Sequence, residues 1–314
     1  MDLSIVIVNW NTCGLLRDCL ASLPAATAGL ATEILVVDNA SQDGTAAMIG
    51  RDFPHVRLLE AGGNLGFARA NNLALPRTTG DMVLLLNPDT VCPPGSLTRL
   101  FAFMHRHPGA GAAGPRLVDA EDRPTLSFGF FPRLRDHWLG FLDPRRLWLR
   151  GPLARRIVVA PSRSEPSHPV DYVVGACLLM RRHALDRVGP LDERFFLYFE
   201  ETDWCYRARA AGLEVWFCGE AEIRHLEGAA AGTVGGFSAR QFQLSYRLFV
   251  AKHYGKWRVG WYRLAQFLEF GGKALLRRLT PGEHNRERAR GLWLKARLQL
   301  VNDLRPEPPG RTGQ

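Results

Sequence analysis

Short apolar runs recur through the first ninety residues, and each is followed by a stretch with helical spacing or by a turn. The runs cover residues 4–8, 33–37, 56–59 and 82–86. Runs of this length that are rich in Val, Ile and Leu are typical of strands buried on both faces of a sheet. Because such strands alternate here with helices, we predict an α/β fold built on a mostly parallel, doubly wound sheet with right-handed crossovers.

Polar side chains stand at the points where three of these strands end. Asn9 follows the first strand, Asp38 follows the second, and Asn87-Pro88-Asp89 follows the fourth. Pro88 cannot donate to a central ladder, so the strand must stop before Asp89. A single ending of this kind favours an ordinary turn. Several such endings at one edge favour a site for a polar ligand, because ligands of open α/β sheets bind at the carboxyl ends of the strands.

A glycine-rich turn with Gly62, Gly63 and Gly66 precedes a predicted helix. These residues have no side chains, so their backbone N–H groups can closely approach a phosphate or a base. The turn does not reproduce the Gly-x-Gly-x-x-Gly pattern of dinucleotide-binding proteins, which would directly follow the first strand. The sequence therefore disfavours a dinucleotide-dependent oxidoreductase.

Two later segments carry further candidate residues. Buried-strand character returns over residues 170–180, and Gly175-Ala176 at its middle indicates close approach of a ligand or of another backbone. In the next segment, four aromatic residues lead directly into the acids Glu200, Glu201 and Asp203. Carboxylates against apolar walls have raised proton affinity, which suits a general base. An acid-rich helix start is the alternative interpretation of the three acids.

A lone histidine, His225, follows a strand predicted at residues 213–218. A single histidine has many roles, and a structural one is commoner than that of a ligand. It becomes a candidate ligand only if the fold brings it to Asp89.

The positive charge of the chain is concentrated at its C-terminal end. Residues 236–314 hold sixteen Lys or Arg against five acids, a net charge of +11, whereas the first 235 residues carry −2. Aromatic residues and cations alternate over residues 257–278, which suits a helix lying in the interface of an anionic membrane. A helical subdomain with a solvated basic face is the alternative. Nucleic-acid binding is disfavoured, because no recognition motif is present.

Composition favours a soluble globular protein of the cytosol. The chain is 46% apolar and 23% charged, which is typical of globular proteins. It opens without a basic, apolar leader, and no uncharged run reaches the length of about 18 residues that spans a bilayer. The six cysteines lack metal-ligand spacing, so we expect buried reduced thiols rather than disulfides.

Five motifs occur in a fixed order: residues 37–41 (Val-Asp-Asn-Ala-Ser), 64–72 (Asn-Leu-Gly-Phe-Ala-Arg-Ala-Asn-Asn), 86–90 (Leu-Asn-Pro-Asp-Thr), 175–179 (Gly-Ala-Cys-Leu-Leu) and 195–203 (Phe-Phe-Leu-Tyr-Phe-Glu-Glu-Thr-Asp). Together they strongly resemble glycosyltransferase family 2, and specifically its rhamnosyltransferase-like branch, over residues 3–255. Each motif alone is weak, but five in this order and spacing are specific. The resemblance implies the GT-A fold, a Rossmann-like α/β architecture, and an inverting transfer of sugar.

The resemblance also implies a nucleotide site and a metal site. Asn87-Pro88-Asp89 takes the place of the family's Asp-x-Asp metal motif, and its first acid is an amide here. Asp89 is therefore the one clear carboxylate ligand for a divalent metal, Mg²⁺ or Mn²⁺, and His225 matches the family's late histidine ligand. Asp38 is suited to accept the N3–H of uracil or thymine. The nucleotide-binding positions are Val8, Asn9, Asp38, Asn64, Gly66, Asn71 and Asn87.

Glu200-Glu201 matches the acidic pair of the family, which implies the catalytic residues. By its second position Glu201 is predicted to be the base, although the sequence does not decide between the two acids. Glu200 and Asp203 are then orienting or acceptor-binding groups, and Gly175 and Ala176 contact the acceptor or the sugar.

We predict an inverting, metal-dependent glycosyltransferase of cell-surface polysaccharide synthesis, peripheral on the inner face of the cytoplasmic membrane. It would move a sugar from a nucleotide-sugar to a glycan or a polyprenyl-diphosphate-linked acceptor. The first candidate donor is dTDP-L-rhamnose, and a UDP-hexose is the alternative, because recognition of the base does not specify the sugar. A non-catalytic nucleotide-sugar-binding module is less favoured, since Asp89 and Glu201 are both present.

Three regions are predicted along the chain. Residues 1–235 form the GT-A catalytic domain, 236–305 a basic extension of amphipathic helices, and 306–314 a disordered tail. Residues 115–170, rich in Pro and Arg, form either a mobile lid or recognition loop or a variable surface excursion.

Overall fold

The computed structural model describes residues 1–134, 158–226, 235–279 and 283–301. These residues fall into two compact units, one drawn from Met1–Phe131 and Val158–Thr233 and the other from Pro132–Ile157 and Val234–Gln314. Most of the predicted lid or recognition loop, and the predicted disordered tail, lie outside the described residues.

The first unit alternates strands and helices from its first residues onward. Its elements are β1 (Leu3–Asn9), α1 (Cys13–Ala26), β2 (Thr32–Asp38), α2 (Thr45–Asp52), β3 (Arg57–Glu60), α3 (Phe67–Ala74), β4 (Met82–Leu86), β5 (Thr90–Val91), α4 (Ser96–Arg106), β6 (Ala110–Val118), β7 (Phe128–Gly129), β8 (Val158–Val159), β9 (His168–Pro169), β10 (Tyr172–Val173), β11 (Cys177–Arg181), α5 (Arg182–Val188), α6 (Glu200–Ala210) and β12 (Glu214–His225).

A central sheet has the strand order β3-β2-β1-β4-β11-β6-β12-β5, and β9 adds to β12. The first four strands are parallel, as are β6 and β12. Strand β11 runs antiparallel to both β4 and β6, and β5 runs antiparallel to β12. The predicted mostly parallel α/β sheet is confirmed, with antiparallel insertions at β11 and β5. A small separate sheet joins β10, β7 and β8.

Helices cover both faces of the central sheet, because its strands are apolar on both sides. Every residue of β1 and of β4 is buried. Leu16 and Leu20 of α1 and Phe103 of α4 belong to the core on one face, and Trp204 of α6 belongs to the core on the other. All six cysteines are free thiols, as expected, and only Cys13 is not buried.

The second unit consists of three long helices in its described part: α7 (Gly235–Tyr254), α8 (Lys256–Leu279) and α9 (Glu283–Leu300). Arg247 of α7 donates hydrogen bonds to the carbonyl oxygens of Leu298 and Val301, and Arg263 of α8 donates to Gln299 O at 2.7 Å. These bonds cap the C-terminal end of α9, whose last carbonyl groups have no partner within the helix. No helix in the described ranges is both long enough and apolar enough to cross a bilayer.

Candidate active site

The carboxyl ends of β1 and β2 lie side by side, with Asn9 in register with Asp38. The buried amide of Asn9 donates to Ser41 Oγ and Thr45 Oγ1, both at 3.1 Å. The carboxylate of Asp38 accepts the backbone N–H of Ser41 at 3.1 Å and its hydroxyl at 2.5 Å. The loop after β2 is therefore tied to the two residues that the sequence assigns to the base and ribose.

Asn39 joins this edge to the glycine-rich turn. Its Oδ1 accepts the N–H of Leu65 at 3.3 Å, and its amide donates to Gly66 O at 3.4 Å. Asn64 Oδ1 accepts the N–H of Gly66 at 3.1 Å. Val8, the adjacent predicted nucleotide contact, is almost fully buried at the end of β1. The predicted nucleotide residues of the first three strand ends are thus brought to one edge.

The glycines of this turn differ in what surrounds them. A Cβ added at Gly62 or Gly63 would have no described atom within 4 Å. Gly66 has φ +78°, and a Cβ there would lie 2.4 Å from the carbonyl oxygen of Phe196. The N–H of Phe67 donates to that same oxygen at 2.7 Å. The close approach that Gly66 permits is therefore to the aromatic segment before Glu200, a partner that the sequence does not indicate.

Asn71 lies on α3 and is fully buried. Its amide donates to Phe67 O at 2.9 Å, and its Oδ1 accepts no hydrogen bond from the described residues. Its predicted contact with the nucleotide stays a prediction.

Pairing of β5 with β12 brings His225 to Asp89. His225 lies opposite Thr90, the N–H of Leu226 donates to Asp89 O at 2.9 Å, and Nε2 of His225 lies 3.2 Å from Oδ1 of Asp89. This buried Oδ1 accepts no well-aligned hydrogen bond from the described residues. No cluster of three His, Cys, Asp or Glu suited to a metal occurs in the described parts of the chain. The two side chains are thus adjacent, and their role as metal ligands stays a prediction.

Helix α6 begins at Glu200, directly after two non-glycine residues in the left-handed region, Tyr198 (φ 67°) and Phe199 (φ 70°). Each such residue costs on the order of 1–3 kcal/mol and persists only where the surrounding structure fixes it, often at active sites. The acid-rich helix start that the sequence left as an alternative is real. It places Glu200 in a buried environment, and it leaves Glu201 half-buried with its Oε2 atom out of contact with solvent.

Burial controls the proton affinity of the two glutamates. Glu200 is 4% exposed, and the Oε2 atoms of Glu200 and Glu201 accept no hydrogen bond from the described residues. Desolvation, reinforced by the neighbouring Glu201, raises the pKa of Glu200 well above its usual value. Desolvation also raises the pKa of Glu201 to about 7, although its own and Thr202's N–H groups and the Thr202 hydroxyl favour the carboxylate. Desolvation therefore raises the proton affinity of both glutamates.

Gly175 and Ala176 connect the glutamate pair to the metal candidates. A Cβ at Gly175 would lie 3.4 Å from Cγ of Glu201, so the glycine backbone lies against that side chain. Ala176 O accepts the N–H of Asn87 at 2.9 Å. Residues 170–180 were predicted as one strand, but the structure breaks it between β10 and β11. The break is where the backbone passes Glu201.

Tyr172 on β10 and Asp203 on α6 are two further polar residues near the glutamate pair. Sequence patterns do not single out Tyr172, whose pKa is raised by burial and by the charge of Glu201. A tyrosine within an apolar run is the only signal that marks it. Asp203 is fully buried and accepts Arg207 Nε at 2.9 Å, and Arg207 also donates to Val188 O and Pro190 O. Asp203 thus helps hold α6 to the end of α5, and its predicted role toward the acceptor stays a prediction.

Comparison with known proteins identifies the family. The model of "Glycosyl transferase family 2" matches residues 4–189. The chain is 33% identical, over 82% of its length and 87% of the relative's, to an N-acetylglucosaminyl-diphospho-decaprenol L-rhamnosyltransferase of Mycobacterium tuberculosis. The chain belongs to glycosyltransferase family 2. The predicted family and the predicted glycosyltransferase activity are confirmed.

A second relative is similar in sequence, and a solved structure is similar in fold. The low-salt glycan biosynthesis hexosyltransferase Agl10 of Haloferax volcanii is 28% identical over 71% of this chain and 67% of its own length. The mannosyltransferase PcManGT from Pyrobaculum calidifontis, solved in complex with GDP-Man and Mn²⁺, superimposes with TM-score 0.60 at 14% identity, covering 95% of this chain and 86% of that one. This likeness confirms the GT-A fold of the family 2 enzyme.

Proposed function

We propose that this family 2 glycosyltransferase moves a sugar, with inversion, from a nucleotide-sugar to a polyprenyl-diphosphate-linked acceptor in cell-surface glycan synthesis. The observation that carries the proposal is Glu201, a half-buried glutamate with its pKa raised to about 7 and a buried Oε2 atom that no described residue engages. A base with this pKa is half ionised at neutral pH and binds a proton strongly enough to take one from a hydroxyl group.

Glu201 is assigned as the base, and Glu200 as its neutral neighbour. Burial and the charge of Glu201 both raise the pKa of Glu200, so we assign Glu200 as the group that keeps its proton when Glu201 ionises. In the transfer, the acceptor hydroxyl oxygen forms a bond to C1 of the donor sugar while the bond from C1 to the phosphate oxygen breaks. The hydroxyl proton passes to Glu201, and the nucleoside diphosphate leaves with the electron pair of the broken bond. A single displacement of this kind inverts the configuration at C1.

The nucleotide occupies the carboxyl edge of β1 and β2. Asn9, Asp38 and the turn at residues 62–66 lie there, tied together through Asn39. Asp38 is the proposed acceptor of the N3–H of the base. The Mycobacterium tuberculosis relative is an L-rhamnosyltransferase by name, which supports dTDP-L-rhamnose as the first donor to test and a polyprenyl-diphosphate-linked glycan as the acceptor class.

Asp89 and His225 are the proposed protein ligands of a divalent metal. The buried Oδ1 of Asp89 lies 3.2 Å from Nε2 of His225 and accepts no well-aligned hydrogen bond from the described residues. The two side chains would suit such an ion, and diphosphate oxygens would complete its coordination. A metal bound there would supply positive charge against the negative charge that develops on the leaving diphosphate. Asn87, next to Ala176, stands where the family's first acid would be.

We also propose that the enzyme binds an anionic membrane surface through α8. A lipid-linked acceptor would lie in that same membrane. Five apolar side chains of α8 share one face of the helix and are 43–73% exposed: Trp257, Trp261, Leu264, Leu275 and Leu279. The helix carries six Lys or Arg against one acid, Glu269, which is buried and paired with Lys273 at 2.6 Å. An exposed apolar stripe with cations and no exposed acid matches the interface of an anionic bilayer.

Replacing Glu201 by Gln tests the assignment of the base. The amide has the shape of the carboxylate but cannot accept the proton, so we expect turnover to fall roughly 10²- to 10⁴-fold. Binding of the nucleotide should be unchanged, measured by the thermal shift that dTDP or UDP produces. Turnover is measured as release of nucleoside diphosphate from dTDP-L-rhamnose, with UDP-hexoses as competing donors. Wild-type turnover by Glu201→Gln would contradict the assignment of the base. Preference for a UDP-hexose would contradict dTDP-L-rhamnose as the donor but would not affect the assignment of the base.

A further inference from the structure

The 191–199 segment, which leads directly into Glu200 and Glu201, is tied to α3 by hydrogen bonds to its backbone. The N–H of Phe67 donates to Phe196 O at 2.7 Å. The side-chain amide of Asn72 donates to Leu191 O at 2.8 Å and accepts the N–H of Leu191 at 3.0 Å. Asn72 therefore engages both the N–H and the C=O of Leu191, as the backbone of a neighbouring strand would.

The segment needs this support because of its backbone conformation. Tyr198 and Phe199 both adopt positive φ, which L-residues with bulky side chains avoid. On the far side of the pair, α6 fixes the chain, since the N–H of Asp203 donates to Phe199 O at 2.8 Å. On the near side the bonds from Asn72 and Phe67 fix it. Tyr198 and Phe199 are thus held between hydrogen bonds to α3 on one side and to α6 on the other.

We propose that Asn72 is a positioning residue for the transfer: by holding Leu191, it keeps the 191–199 segment in place and keeps Glu201 packed against Gly175. This inference rests on the proposed role of Glu201 as the base. Asn72 contacts neither Glu200 nor Glu201. It acts through the backbone of Leu191, and its side-chain amide also donates to Oε1 of Glu193 in the same segment at 3.1 Å. The same α3 begins at the turn that is assigned to the nucleotide, so the hydrogen bonds from α3 also join the donor side of the site to the base.

The hydrogen bonds from α3 set the environment in which Glu201 titrates. Among the residues that the structure describes, the titratable groups that interact with Glu201 are Glu200 and Cys205 on α6 and Tyr172 on β10. None of them is a cation, so burial is what holds the proton on Glu201. If the segment loosens, water reaches the carboxylate and its pKa falls from about 7 toward the ordinary value of 4.5.

The test is Asn72→Ala in the full-length enzyme, with the pH profile of kcat/KM as the deciding measurement. We expect kcat to fall on the order of 10- to 100-fold, as small displacements of reacting groups do, with KM for the donor unchanged. The acid limb of the profile should move from near pH 7 to lower pH. Asn72→Asp retains the acceptor for Leu191 N–H, but it loses both donors and sets a carboxylate beside Leu191 O and Glu193, so it should loosen the segment and shift the acid limb in the same direction as Asn72→Ala.

Arg69→Ala is the matched control. Arg69 lies on the same helix and reaches the same segment only through an exposed contact with Glu193 at 3.9 Å, so its variant should keep the wild-type profile. An acid limb of Asn72→Ala that stays at its wild-type pH would overturn the proposal, whatever the loss of rate. If Asn72→Ala does not fold, the limb of Asn72→Asp decides in the same way. An active Glu201→Gln would instead show that the base assignment itself is wrong.

Discussion

At Glu201, the effect of the local helix and the effect of residues distant in sequence on the pKa oppose each other. Its position at the start of α6 would by itself favour the ionised form, because N–H groups at a helix N-terminus stabilise negative charge. Burial overrides this effect and raises the pKa to about 7. Ionisation of Glu201 therefore costs free energy in the folded protein. An exposed carboxylate at a helix start would not have this cost.

This cost predicts a pH-dependent effect of Glu201→Gln on stability. The folded state holds the proton of Glu201 up to about pH 7 and the unfolded state only to about 4.5, so wild-type stability falls as the pH rises through that window. The glutamine of the variant is neutral at every pH, so the stability of Glu201→Gln does not fall in this window. At pH 8 it should be more stable than wild type by on the order of 3 kcal/mol, since each pKa unit is worth about 1.4 kcal/mol.

Urea unfolding at pH 4 and pH 8 measures this effect. At pH 4 the two proteins should have nearly equal free energies of unfolding, because Glu201 is protonated in both states of the wild type. A difference of the same size at both pH values would contradict the raised pKa.

At the scale of elements, the pairing of β5 with β12 decides where the metal candidates lie. Strand β5 has only two residues, and it directly follows the Asn87-Pro88-Asp89 turn. Because β12 runs antiparallel to it, His225 is set opposite Thr90 and beside Asp89. A short strand therefore turns a lone histidine into a candidate ligand.

Asp89→Asn and His225→Ala test the metal site at this scale. Each should lower turnover roughly 100-fold, because charge stabilisation by a metal is worth several kcal/mol. A second measurement does not depend on activity: Mn²⁺ added with dTDP or UDP should raise the Tm of the wild type more than that of either variant. Equal increases in Tm for wild type and both variants would contradict the site, as would full turnover in excess EDTA.

At the scale of the whole molecule, the charge is divided between two units of different character. The first unit carries the sheet and every proposed catalytic group, and the described part of the second consists of basic helices. Among these, α8 has the exposed apolar stripe from Trp257 to Leu279. Arg258 lies 4.9 Å over the ring of Trp257, a pairing that suits the boundary between lipid and water.

The double substitution Trp257→Ala and Trp261→Ala should therefore weaken binding to vesicles that contain anionic lipid. We expect the loss of two large apolar contacts to reduce the bound fraction at least tenfold in cosedimentation. Binding by the wild type should also fall with added salt, because charge attraction is screened. Leu126→Ala in the first unit, which removes an apolar side chain that is 42% exposed, is the control. Unchanged sedimentation of the double variant would exclude the stripe as the binding surface.

Local patterns determined much of this protein. The period of the apolar runs indicated the buried strands, and polar residues at their ends indicated which edge holds the site, because carboxyl ends of parallel strands share an edge. The order of five motifs indicated the family. These features depend on neighbours in the chain, so they can be read without the fold.

The tertiary structure alone decided how the residues meet. It placed His225 beside Asp89 through an antiparallel pairing, and it set Phe196 against Gly66 and Gly175 against Glu201. It also decided that the pKa values of Glu200 and Glu201 are raised, because desolvation depends on the residues packed around α6. Strand order, close backbone approach and desolvation all depend on contacts between residues far apart in sequence. No local pattern contains them.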